Sequence, residues 1–301
     1  MNERLEELRR HVNKLLSTGR APEAETLLLR ERSGYRGRDL GRIELMYAQT
    51  WVRLHPSDSE GYRQACSKAA RHLNRDPGGL AEVYLSQLSK AIPWSDWTGA
   101  RRFIRAYSLL AQRYPSLEEV ERLQGMVLCN AAIIERIHGN YCLAGDIFAR
   151  AIPMIERYPY PSERSQKVML DMARLELADA RLRTGQQAEA YHHLCRVEQE
   201  HLVAQMFGYY YYVQARYWLS VGNLLAADTW AAHIGESGVG DPTWPALKLE
   251  LRADLALARN ERVVAKRYLA QARMMAHGVA ADALATLFQL KLDGVERKGP
   301  Q

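Results

Sequence analysis

The chain has 301 residues and a formal net charge of +6, and 47% of its residues are hydrophobic and 25% charged. That composition excludes a disordered chain and provides ample apolar material for a core. No run of about 18 apolar residues occurs, which excludes a helical membrane span, and the charged start MNERLEELRR lacks the apolar stretch of a secretory leader, so the expected location is cytoplasmic.

Helical periodicity runs through the chain and predicts about fourteen or fifteen helices joined by short turns. Residues 1–33 form a helix pair around Gly19, followed by Ala24 and Leu28. Two degenerate pairs fit between Tyr47 and Arg113, one carrying Tyr62, Ala65 and Ala69, the other Trp97, Ala100 and Ile104. Ser57 to Glu60 after Pro56, and Ser116 to Glu119 after Pro115, read as capping boxes. From there the longest segments are Arg122 to His138, Gln166 to Thr184, Phe207 to Val221 and Ala246 to Arg259, each apolar at i, i+3, i+4 and i+7. Asp241-Pro242 places a capping side chain before a first-turn proline. The glycine-rich stretch Gly235 to Gly240 follows a helix and reads as an inter-helix loop.

The turns repeat. Gly139-Asn140-Tyr141 precedes Ala144, Phe148 and Ala151; Gly185-Gln186-Gln187 precedes Ala190, Leu194 and Val197. Gly222-Asn223-Leu224 precedes Ala227, Ala231 and Ile234; Asn260-Glu261-Arg262 precedes Ala265, Leu269 and Ala272. Successive turns are 46, 37 and 38 residues apart. Glycine or asparagine supplies a left-handed turn, and the small residue five positions on lets the second helix approach the first. Ala132, Ala178, Ala215 and Ala253 occupy the crowded positions of the first helices.

This pattern resembles the tetratricopeptide repeat (TPR), best over residues 125–275. Its longer, irregular period is also similar to the TPR-type sensor domains of bacterial MalT-like and peptide-pheromone regulators. The resemblance implies an all-α, right-handed TPR-like α-solenoid of antiparallel helix pairs. The expected division is 1–120 (degenerate helical repeats), 121–278 (TPR-like repeats) and 279–301 (capping helix and tail). It implies a scaffold that binds a protein or peptide in a concave groove. The alternative is a peptide- or small-ligand-responsive regulatory sensor of a bacterial transcriptional control system, without its own DNA-binding domain.

In the repeat frame the groove-facing residues are Tyr209, Tyr212 and Arg216, preceded by Arg136, Leu175, Asp179 and Arg183 and followed by Glu250 and Asp254. Tyrosines beside an arginine make a good recognition surface, and their polar tips are expected to be exposed; the competing reading packs the same rings against the neighbouring repeat. Arg9 and Asn13 match two positions of the chaperone-binding carboxylate clamp, but nothing equivalent follows.

The remaining chemistry argues against an enzyme. The sequence has no GxxxxGK[ST] loop, HExxH or GxSxG elbow, and no cofactor is implied. His192, His193, Cys195 and His201 lack the spacing of a closed metal site, and Cys66, Cys129, Cys142 and Cys195 form no CxxC pair, so no metal is expected. Basic and acidic residues are interspersed, and 33 of the 41 basic residues are arginine; no long run of like charge marks a nucleic-acid partner.

Overall fold

A computed structural model describes residues 3–158, 163–235 and 241–297. Among them the chain forms fifteen α-helices and two short 3-10 turns, with no strand. They are α1 (Glu3–Ser17), α2 (Ala21–Glu31), α3 (Gly37–Leu54), α4 (Ser59–His72), α5 (Pro77–Ala91), α6 (Trp97–Arg113), α7 (Glu118–Ile137) and α8 (Tyr141–Arg157). There follow α9 (Glu163–Arg183), α10 (Gln187–Leu194), α11 (Ala204–Ser220), α12 (Leu224–Ala231), α13 (Trp244–Ala258), α14 (Arg262–Gly278) and α15 (Asp282–Arg297). No helix is long and apolar enough to cross a membrane among the described residues.

The chain divides into two units, one of residues 1–94 and 98–123, the other of 95–97 and 124–301. In the first, Leu5, Leu8, Val12, Leu15 and Leu16 of α1 pack with Ala24 and Leu28 of α2 and with Ile43 and Met46 of α3. A second cluster joins Leu45, Ala48 and Val52 of α3 to Tyr62, Ala65, Cys66 and Ala69 of α4, where the degenerate repeat was expected.

The second unit is built from the pairs α7–α8, α9–α10, α11–α12 and α13–α14, followed by α15. Gly139, Gly185 and Gly222 all have φ near +80° and Asn260 has φ +63°, the left-handed turn that an L side chain resists. Gly19 makes the same turn in the first unit. Ala144, Ala190, Ala227 and Ala265 are fully buried, as are Ala132, Ala178, Ala215 and Ala253. Phe148 and Ala151 of α8 fill the space against Cys129 and Ala132 of α7 and Ala173 and Leu177 of α9. Burying a ring such as Phe148 contributes about 1.5–3 kcal/mol.

Two caps differ from expectation. Asp58, not Ser57, caps α4 by accepting from the Gly61 amide, because its carboxylate is placed one residue before the helix. Asp241 does not cap α13, which starts at Trp244 after Thr243; Asp241 instead accepts from the Thr243 amide and hydroxyl. The loop expected at 235–240 lies, beyond Gly235, outside the described residues. All four cysteines are free thiols, Cys66 and Cys129 buried, Cys142 and Cys195 exposed.

Candidate functional site

The first helices of the second unit's pairs bring the nine expected residues to one place. Arg136 comes from α7, Leu175, Asp179 and Arg183 from α9, Tyr209, Tyr212 and Arg216 from α11, and Glu250 and Asp254 from α13. Eight of them form one hydrogen-bonded and ion-paired network, and Leu175 is fully buried beside them.

Arg183 is the hub. Its guanidinium meets Glu250 with two parallel bonds, Nη1 to Oε1 at 3.1 Å and Nη2 to Oε2 at 2.7 Å. Nη2 also donates to the Tyr212 hydroxyl at 2.6 Å and Nε to Asp179 at 3.2 Å, and the Tyr141 ring covers the guanidinium at 4.6 Å. Charge-assisted forks of this kind are the strong hydrogen bonds of a protein interior. Arg136 holds Glu176 through Nε at 2.7 Å and Asp241 through Nη2 at 2.5 Å. The Tyr209 hydroxyl donates to Glu176 at 2.9 Å. Arg216 lies 3.5 Å from both Asp179 and Asp254, and Lys291 of α15 reaches Glu250 at 2.7 Å and Asp254 at 3.0 Å. Tyr209 and Tyr212 stack at 5.8 Å, and both meet Trp244, the first residue of α13, edge-on.

The expectation of exposed tyrosine tips therefore fails. Tyr212 is 0% exposed and Tyr209 is buried, and each hydroxyl is engaged by a charged group from another helix. Arg136, Leu175, Asp179, Arg183 and Glu250 are buried as well. Facing first helices fill the space between them with their own side chains, which the register of a single helix cannot reveal. Tyr211 packs between its helix and the next, against Trp230 and His233.

Burial is graded across the network. Arg136, Asp179, Arg183, Tyr212 and Glu250 are closed off, whereas Arg216 is 13%, Asp254 19% and Lys291 30% exposed. The network holds five carboxylates (Glu176, Asp179, Asp241, Glu250, Asp254) against four cations (Arg136, Arg183, Arg216, Lys291). The imbalance falls on Glu176: burial pushes its carboxyl up to about 7, against the pull of Arg136. For Glu250, burial acts upward too, but Arg183, Lys291 and Arg216 outweigh it and hold the carboxyl well below the ordinary range. Asp241 is likewise lowered, burial being overcome by Arg136 and Thr243. Burial would lower Arg136 and Arg183, but their carboxylates keep both firmly protonated.

Glu176, Asp241, Lys291 and Tyr141 complete the network and were not among the expected residues. Glu176 stands one helical turn before Asp179, so its spacing carried the signal. Lys291 lies beyond the last recognisable repeat, and Asp241 reads locally as a cap.

The other candidates lie elsewhere. Arg9 is half-buried, 3.9 Å from Glu6, and Asn13 is exposed. His201 does not join His193: its Nδ1 lies 3.0 Å from the buried Asp171, and its Nε2 faces Glu198 and Glu200 at 3.4 and 3.8 Å. His193 packs beside His192, and burial followed by His192 lowers its pKa.

No protein-family model and no curated protein matches the chain. Among solved structures, it is similar to a tetratricopeptide repeat protein from Parabacteroides merdae ATCC 43184, at 15% identity over 95% of this chain and 100% of that one, with a TM-score of 0.49.

Proposed function

We propose that the chain is a non-catalytic helical-repeat protein that binds a protein or peptide segment on the inner face of its second unit. The observation that supports this most is the grading of the polar network. Its closed end fixes the spacing of successive first helices, while Arg216, Asp254 and Lys291 stay partly accessible at the other. Charged groups of both signs, already held in place by buried partners, bind at low ordering cost. They suit a segment that presents its own polar groups in register. The tyrosines and Arg183 act beneath that surface by holding it, so the contact residues are fewer than the nine read from the repeat frame.

Quantitative capture from native lysate tests this with two pairs of variants. Lys291→Ala and Asp254→Asn alter the accessible end of the network. Val263→Asp and Met274→Asp alter exposed residues of α14. The inner pair should lose the captured partner while the α14 pair retains it, and the wild-type interaction should weaken with salt. Partner loss from the α14 variants alone would place binding elsewhere.

A further inference from the structure

The first unit holds a cleft of about 440 Å³ between α3 and α4, walled by Tyr47 and Trp51 with Glu44 at its base. Its volume falls in the range of sites that take small ligands, about 300–1,000 Å³. Tyr47 and Trp51 are one turn apart on α3, their ring centroids 5.9 Å from each other. Trp51 is fixed by its indole N–H, which donates to Asp58 at 3.2 Å, and Tyr47 is held through its hydroxyl by Glu25. Glu44 is 2% exposed. A carboxylate so buried requires a cation and good donors.

What meets it is Arg32, from the 3-10 turn Arg32–Gly34 that links α2 to α3. The Arg32 side chain is 43% exposed and reaches Glu44 Oε1 with Nη2 at 2.5 Å. That contact lacks hydrogen-bond geometry, so Oε1 remains a buried acceptor without a donor. The Arg183–Glu250 pair of the second unit differs, since Arg183 there forks onto Glu250 with two aligned bonds. Asp58, which already accepts from Trp51 and the Gly61 amide, and Glu60 add negative charge at the rim, against Lys68 and against Arg63, which lies 3.5 Å from Glu60.

We infer that this cleft is a guanidinium site, in which Arg32 stands as a displaceable occupant for the arginine side chain of an incoming ligand. The parts match that chemistry. A guanidinium is planar, stacks on aromatic faces and presents paired N–H groups to a carboxylate, which an ammonium does not. The buried carboxylate supplies the charge, Tyr47 and Trp51 supply the faces, and the rim acids favour entry of a cation into a protein of net positive charge. An arginine within a partner's chain and free arginine share this chemistry.

The Trp51 indole N–H is a built-in reporter, and its NMR signal can be followed in titrations with three probes: N-acetyl-arginine amide, free L-arginine and the uncharged isostere N-acetyl-citrulline amide. Removing the occupant with Arg32→Ala should tighten binding of an arginine probe at least about tenfold over wild type, and the citrulline probe should not bind. Adding Glu44→Gln to Arg32→Ala should abolish the response. A stronger response to the capped amide assigns the site to an arginine in a protein segment, and a stronger response to free arginine assigns it to the amino acid; either upholds a guanidinium site. Two outcomes overturn the inference: an Arg32→Ala protein that binds arginine no tighter than wild type, or one that binds the citrulline probe equally well. The citrulline comparison is made on a single protein, so it decides the matter even where Glu44→Gln impairs folding.

Discussion

In the first unit, Arg42 bridges Asp76 at 2.8 Å and Glu82 at 2.9 Å, while Arg38 and Arg122 approach the same two carboxylates from the outside. In the second, Arg183 sits among Asp179, Glu250, Tyr212 and Tyr141 with nothing of it open to solvent beyond a few per cent. The first cluster has more arginines than acids, keeps Arg38 exposed, and uses Asp76 a second time as the cap of α5. The second has more acids than cations and is closed over by stacked tyrosines. Asp76, Glu82 and Arg42 are themselves largely buried, but Arg38 and Arg122 lie toward water, where charge is screened and can be left unbalanced at little cost. Charge in the interior must be matched almost group for group, so the excess acid of the second unit shows up as a proton affinity displaced to near neutrality on Glu176.

The largest effect should come from removing the hub. Arg183→Met takes the fork from Glu250 and the Nε bond from Asp179, leaving them Lys291 and Arg216, and should cost about 3–5 kcal/mol in denaturant unfolding. Arg42→Met, at the more open cluster, should cost clearly less. Equal losses would mean that burial does not separate the two networks.

The next effect is on pH. Glu176 binds its proton more tightly folded than unfolded, so this contribution is complete below the ordinary carboxylate range and is lost as pH rises through about 7. Asp241 and Glu250 run the other way: their contribution is present above the ordinary range and is lost as pH falls through their lowered folded values. From pH 5 to 8 the Glu176 effect should dominate, lowering stability by an amount on the order of 2–3 kcal/mol. Glu176→Gln should flatten that slope, and an unchanged pH profile in the variant would remove Glu176 as its source.

Packing comes third. Ala144→Leu in the second unit and Ala69→Leu in the first should each cost roughly 1–3 kcal/mol by overpacking, since both alanines are fully buried against a partner helix. A melting temperature unchanged in both would contradict the repeat register. The smallest effect is expected for Tyr212→Phe, which removes one acceptor from Arg183 and leaves its fork to Glu250 intact; about 1 kcal/mol should be lost, read by thermal unfolding.

The elements that local rules govern were legible in the sequence. A left-handed glycine at 139, 185 and 222 and an alanine five residues later need only the geometry of one helix pair, and both stand where the spacing placed them. The candidate site was legible as a face and not as an environment. Helical register puts Arg136, Leu175, Asp179, Arg183, Tyr209, Tyr212, Arg216, Glu250 and Asp254 on one set of faces, and all but Leu175 meet in one network. It does not say what lies opposite. Arg136 meets Asp241 from 105 residues away and Arg183 meets Glu250 from 67, so whether the face was open or filled depended on contacts with no local trace. The cleft at Glu44 was invisible for the same reason, because Arg32 lies in the turn before α3, which carries no repeat signal, and Glu44 lies within α3.

Whether the inner face is held shut by the Arg183–Glu250 pair can be read from a double-mutant cycle across the two residues. Arg183→Met, Glu250→Gln and the double variant are unfolded in denaturant alongside the wild type. If these residues form the buried keystone of the inner face, the double variant should be markedly more stable than the sum of the single losses predicts, with a coupling of about 1–3 kcal/mol that barely changes with salt. Additive losses, or a coupling that vanishes at high salt, would mean that the pair is open to solvent and that the inner face of the second unit is an open groove after all.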